Sequence, residues 1–159
     1  MTGGSVTGYE ASFEPAMRAA LAEAEAAVAT GDVPVGAVVL DHAGTIVARG
    51  RNRREADGDP TAHAEIVAIR EAARAVGGWR LDGLTLVVTL EPCTMCAGAI
   101  TAARLSRLVY GAADPRAGAV GSLWDVVRDQ RLVPKPEVIG GVLADDGLNV
   151  ITMFFANRR

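Results

Sequence analysis

Two short segments hold residues that can do chemistry together. Pro60-Thr61-Ala62-His63-Ala64-Glu65 places a histidine and a carboxylate two positions apart, and Pro92-Cys93-Thr94-Met95-Cys96 places a C-x-x-C pair about thirty positions later. Zinc takes nitrogen and thiolate ligands in a tetrahedron, and catalytic zinc sites use three protein ligands and leave the fourth place to water. His63, Cys93 and Cys96 supply three such ligands. Glu65 is then better suited to carry protons than to close the coordination shell: it can take the water proton, protonate a ring nitrogen and help an amine leave. A C-x-x-C pair at a helix start turns both sulfurs to one point, and the helix N-terminus favours thiolates.

Each half alone is ambiguous. C-x-x-C also serves as a dithiol redox pair or as half of a structural zinc site, and a histidine before a helix is commonly a surface residue or a cap. A redox role leaves His63 and Glu65 unexplained. A closed structural site asks for a fourth protein ligand, and the one other histidine, His42, falls in an expected turn at the surface. Taken together, H-x-E followed by P-C-x-x-C resembles the signature of zinc-dependent nucleobase deaminases. One geometric demand follows. Positions i and i+2 do not share a face of a regular helix, so His63 and Glu65 must sit in a first helical turn, with the metal across the helix end.

The elements that must position these residues are legible as periodicities. Phe13, Met17, Leu21, Ala24 and Val28 recur at helical spacing and predict a helix over 13–30, with Gly31 as terminator. Val35–Leu40 and Thr45–Ala48 flank the turn Asp41–Gly44 and predict a hairpin. Residues 49–60 predict a loop, and Thr61 can cap a helix from His63 to Val76 that ends at Gly77-Gly78. Leu84–Leu90 is an apolar, β-branched run, the pattern of a strand covered on both faces. Pro92 opens a helix to Arg104, and Arg107–Tyr110 is a further strand. Residues 111–122 predict a loop, Ser122 or Leu123 the start of a short helix, and Leu143–Arg158 a final helix in which Gly147 is unfavourable by about 1 kcal/mol relative to Ala. Strands alternating with helices predict a layered α/β domain. Residues 1–10 are expected to be a loose tail without the basic start and apolar core of a secretory signal, and residues 11–159 a single domain.

Composition narrows the class. The chain has 159 residues, half of them apolar, and 22% charged, which argues against disorder. No apolar run approaches the ~20 residues of a membrane span. Two cysteines do not make a secreted disulfide scaffold, so a reduced, cytoplasmic setting is expected. The net charge of −3 gives no support for nucleic-acid binding by itself. Arg49, Arg51, Arg53 and Arg54 nevertheless lie within six residues, and such a local patch either holds phosphates or is a solvated face.

Beyond the signature, longer stretches carry a resemblance. Val33-Pro34-Val35-Gly36-Ala37-Val38, Asn52, Asp59 to Ile66, Thr89 to Ala99 and Gly118-Ala119-Val120-Gly121-Ser122-Leu123 are similar to the bacterial tRNA-specific adenosine deaminases, over about Phe13 to Phe155. The resemblance implies a three-layer α/β/α cytidine deaminase-like fold with a mixed five-stranded sheet and helices on both faces. It implies hydrolysis of adenosine to inosine at the wobble position of an arginine tRNA anticodon, one zinc per chain and a homodimer. It places zinc on His63, Cys93 and Cys96, the proton shuttle on Glu65, and base reading on Asn52, with Val35 lining the pocket and the Ala64 backbone at the base edge. Asp114, Arg116 and Ser122 fall in a loop near the anticodon backbone, and Phe154 and Phe155 on the last helix, Phe155 as a substrate contact. Asparagine suits a purine edge because it donates and accepts at once. A wobble base already lies in a single-stranded loop, so splaying it out costs less than opening a duplex. The residue before Asn52, often aromatic in that family, is Arg51 here, and the residue before Asp114, often basic, is Ala113. The rival readings are a deaminase of free guanine or cytosine with the same metal site, and a non-catalytic zinc protein that binds RNA.

Overall fold

The computed structural model describes residues 8–158. Its centre is a five-stranded sheet in the order β2-β1-β3-β4-β5, formed by β1 (Gly36–Leu40), β2 (Ile46–Arg51), β3 (Thr85–Leu90), β4 (Arg107–Ala112) and β5 (Glu137–Ile139). β1 pairs antiparallel with β2 and β3, while β3–β4 and β4–β5 are parallel. A parallel pair needs a crossover. The helix α5 (Thr94–Ala102) makes it between β3 and β4, and so stands at the C-terminal end of β3.

Side chains alternate across each strand, so each face of the sheet presents its own apolar set. Ala37, Val39, Leu86, Val88 and Leu108 pack on α4 (Ala64–Val76) through Ala64, Ala68 and Ala72, and on α5 through Ala97 and Ile100. Val38, Leu40, Val87, Val109 and Ile139 face the other way, onto Phe13, Met17 and Ala20 of the α2 side (Glu14–Ala27) and onto Val142 before α6 (Ala144–Ala156). Three layers result, as expected. Gly50 lets α4 lie close: a Cβ there would meet the Ala64 carbonyl at 2.5 Å and the Ala68 nitrogen at 2.6 Å. Gly147, unfavourable by propensity, sits where a Cβ would meet the Thr89 carbonyl at 2.5 Å, so tertiary packing chose it.

Several boundaries differ from the sequence reading. β2 continues to Arg51, and residues 54–57 form the short helix α3 (Arg54–Asp57), so the expected 49–60 loop is mostly ordered structure. Thr61 does not cap α4. His63 occupies the N-cap position, and the Thr61 hydroxyl instead donates to Asp59 at 2.8 Å. α2 runs into one 3-10 turn at Val28–Thr30 and stops at Gly31, whose φ of 75° is left-handed. No helix starts at Ser122 or Leu123, where turns and a bridge between Val120 and Asp125 occur instead. β5 has no precedent in the periodicities: it is three residues long and follows two prolines, a pattern tolerated at a sheet edge. The expected tail lies partly outside the described residues, and its last part joins a helical turn, α1 (Gly8–Ala11). Among the described residues no helix is long and apolar enough to cross a membrane.

Candidate metal centre and base pocket

Two helix starts meet below one end of the sheet. His63 has extended backbone angles (φ −69°, ψ 154°) as the N-cap of α4, and Glu65 stands at the second helical position. This is the first-turn placement that i and i+2 spacing demands. Cys93 is the extended N-cap of α5 (φ −75°, ψ 178°), with Cys96 in the first turn. His63 Nδ1 lies 3.6 Å from Cys93 Sγ and 3.5 Å from Cys96 Sγ. For tetrahedral zinc with Zn–S of about 2.3 Å and Zn–N of about 2.0–2.1 Å, the nitrogen–sulfur edge is about 3.5 Å. All three ligand atoms fall within 4.8 Å of one another, so the donor set and its spacing fit zinc.

The electrostatics have a common cause. The neighbouring Cys96 thiol, helped by His63, brings Cys93 down to about 3 although burial opposes it. Cys93 in turn, with burial, pushes Cys96 far up. Zinc binds thiolates, so metal uptake at this pair releases protons. The Cys93 hydrogen bond holds His63 above its usual value against the effect of burial. Burial raises the Glu65 carboxyl, which is only 4% exposed. A carboxyl moved towards neutrality in this way is suited to hold a proton and release it again.

A cavity of about 190 Å³ opens over these groups. His63, Glu65 and Cys93 line it together with Val35, Asn52 and Arg54 and with Asp114 and Ala117. Ala64 lines it as well. Asn52 is buried, and its amide is partly committed: Nδ2 donates to the Val33 carbonyl at 3.1 Å and Oδ1 accepts from the Arg54 N–H at 3.1 Å. One amide hydrogen and one acceptor lone pair remain. Arg116, Ser122 and Phe155 do not line the cavity. Arg116 is exposed, and its N–H bonds Asp114. The Ser122 hydroxyl donates to Glu91. Phe155 is 51% exposed on α6, edge-on to Phe154 at 5.2 Å. A larger hollow of about 650 Å³ between α2 and α6 holds neither the ligands nor Glu65.

The fold sets one arginine of the cluster apart from the other three, which line a surface hollow beside β2. Arg51 reaches Glu23 of α2 at 3.7 Å, and Arg53 forms a forked pair with Asp57. Arg54 alone of the four lines the cavity. Two buried acids went unnoticed in the sequence. Asp32 accepts from Thr30 Oγ1 at 2.6 Å and from the N–H groups of Glu55 and Ala56 at 2.6 and 3.2 Å, which ties α3 to the chain before β1. Glu91 accepts from the loop 114–122. Burial alone would raise Glu91, but the Ser122 hydroxyl and three backbone N–H groups outweigh it and hold the carboxyl below its usual value.

This arrangement, a three-ligand nitrogen and thiolate set beside a buried carboxyl under a small cavity, matches what comparison with other proteins finds. Residues 11–112 match the cytidine and deoxycytidylate deaminase zinc-binding region, and the chain belongs to that family of zinc-dependent deaminases. Within it, the chain is 47% identical over 146 residues to a tRNA-specific adenosine deaminase of Haemophilus influenzae, covering 92% of this chain and 84% of that protein. A solved structure from work on A-to-I editing by tRNA:A34 deaminases superposes with a TM-score of 0.81 at 44% identity, covering 86% of this chain and 98% of that one. A guanine deaminase from Nitrosomonas europaea superposes at 0.76 with 26% identity, over 90% and 84% of the two chains.

Proposed function

We propose that this protein converts adenosine to inosine at the wobble position of a tRNA anticodon, that of an arginine tRNA, with His63, Cys93 and Cys96 as zinc ligands and Glu65 as proton carrier. The observation that carries the reading is the buried Glu65 beside the ligand set, at the side of a cavity of about 190 Å³. That volume lies below the ~300 Å³ of a drug-sized pocket and suits a single splayed base. The choice of adenosine in tRNA is supported by 47% identity over 92% of the chain to a tRNA-specific adenosine deaminase.

When bound, zinc supplies a Lewis acid that lowers the pKa of water towards neutrality. The protein's own groups supply the rest. Glu65 accepts a proton from the attacking water and delivers it to a ring nitrogen of the base. Water oxygen bonds to the ring carbon, the carbon–nitrogen bond to the amino group breaks, and the amine leaves as ammonia with a proton returned through Glu65. Asn52, Ala64 and Val35 line the cavity, and in this reading the free amide hydrogen and lone pair of Asn52 pair with the purine, the Ala64 backbone meets its edge and Val35 packs on its face. Asp114 lines the cavity, while Arg116 and Phe155 are assigned to the RNA outside it and Ser122, whose hydroxyl donates to Glu91, to the loop that carries Asp114. A homodimer in the cytoplasm completes the reading.

The test is inosine formation by the zinc-loaded protein on an anticodon stem-loop with adenosine at the wobble position, beside free adenosine, guanine and cytosine. Turnover of the stem-loop far above the free bases is expected. Turnover of guanine or cytosine alone would discard the tRNA substrate and keep the metal chemistry.

A further inference from the structure

Glu91 follows the last residue of β3 and stands two positions before the ligand Cys93. It is 3% exposed and borders the cavity. Its Oε1 accepts from the Asp114 N–H at 3.1 Å and from the Ser122 hydroxyl. Its Oε2 accepts from the N–H groups of Val120 at 2.9 Å and Ser122 at 3.2 Å. A carboxylate offers about four lone-pair sites, so these four donors fill it. No acceptor is left over for a substrate proton, which separates Glu91 in kind from Glu65.

The donors come from one irregular stretch. Residues 113–123 contain neither helix nor strand, so their backbone N–H groups need partners elsewhere. Glu91 takes three of them, and the neighbouring Pro92 carbonyl takes a fourth, from Ala119 at 2.8 Å. Gly118 is packed so closely on the Glu91 carboxylate that a Cβ there would overlap it. The same stretch supplies Asp114 and Ala117 to the lining of the cavity that Asn52 also lines. The wall that faces the substrate thus hangs from the two residues that lead into the metal ligand.

We infer that Glu91 is a positioning residue that clamps the 114–122 loop as the outer wall of the base cavity, and so sets affinity for the nucleotide rather than the chemical step. The Ser122 hydroxyl belongs to this clamp, which explains an otherwise exposed serine aimed inward. The inference rests on the deamination reading for its substrate, but the clamp itself can be measured without turnover.

The test uses Glu91→Gln, Ser122→Ala and Gly118→Ala in the full zinc-loaded chain. In Gln, an NH2 group replaces one acceptor and faces N–H donors. In Gly118→Ala, the new methyl displaces the carboxylate. Two readouts are taken together: amide hydrogen exchange at Asp114, Val120 and Ser122, and KM and kcat on the anticodon stem-loop, with zinc content measured alongside. We expect exchange at those amides to quicken by at least about tenfold in Glu91→Gln and Gly118→Ala, with a smaller change in Ser122→Ala. KM should rise about tenfold with kcat nearly unchanged and zinc retained, the pattern of lost uniform binding. Unchanged exchange would overturn the clamp. Loss of kcat at unchanged KM, with zinc retained, would overturn the positioning role and make Glu91 part of the chemistry. Should Glu91→Gln fail to fold, the other two variants decide by the same criteria. If the wild-type protein does not turn over the stem-loop, the substrate reading fails, and exchange alone still decides the clamp.

Discussion

Cys93 and Cys96 must both be thiolates to hold zinc, which links metal uptake to pH. Because Cys93 and burial push the Cys96 thiol far up, zinc must displace its proton to bind both sulfurs. Cys96→Ala removes a ligand and a buried group at once. It is expected to lose zinc stoichiometry and to lower Tm together, because metal binding energy is in part folding energy. Elemental analysis with a thermal melt checks this, and a full zinc complement in the variant would count against the ligand set. At this scale the sequence was legible where chemistry is written in adjacent side chains. His63, Glu65, Cys93 and Cys96 fall in two short motifs, and the structure brings the three ligand atoms within 4.8 Å. Glu91 and Asp32 were not legible because their partners are mostly backbone N–H groups, 23 to 31 positions away for the bonds that matter. Those donors have no residue type to give them away.

The elements differ in how they announce themselves. α2, α4 and the buried strands carry strong periodicity and stand close to where the spacing places them. α3 and the loop 113–123 take their form from buried carboxylates instead, and no local pattern encodes it. Asp32 illustrates the energetics. Burial alone would raise its carboxyl, but the Thr30 hydroxyl and the N–H groups of Glu55 and Ala56 outweigh burial and hold it below the usual value. A carboxyl lowered in the folded state contributes stability that is fully present above its unfolded pKa of about 3.9 and is lost as pH falls through the folded value. Asp32→Asn is therefore expected to cost about 1–3 kcal/mol at pH 7, with the gap to the parent protein narrowing well below pH 4. Urea unfolding at the two pH values checks this, and an equal gap at both would contradict the account. Because Asp32 anchors α3, whose first residue Arg54 lines the cavity, the same variant should loosen the Asn52 wall.

For the whole molecule, sheet topology joins these parts. The two antiparallel pairings place β2 and β1 so that α4 lies over Gly50, and the parallel β3–β4 pair sends α5 across the same face. Both helix starts then meet beside one cavity. The α/β class was legible from alternating periodicities. The fifth strand was not, since β5 is held by register with Arg107–Val109 rather than by its own residues. The arginine cluster folds into two parts: Arg49, Arg51 and Arg53 share one surface hollow beside β2, where Arg51 and Arg53 pair with Glu23 and Asp57, and Arg54 stands at the base cavity. The central claim is that this assembly makes the buried Glu65 the proton carrier of a zinc-dependent deamination. The most direct measurement is single-turnover inosine formation on the wobble-adenosine stem-loop by zinc-loaded Glu65→Gln, beside the parent protein. The account predicts one zinc per chain with the rate reduced at least about 100-fold, the range expected for loss of a general acid–base. A rate within about threefold of the parent, at full zinc content, would contradict it.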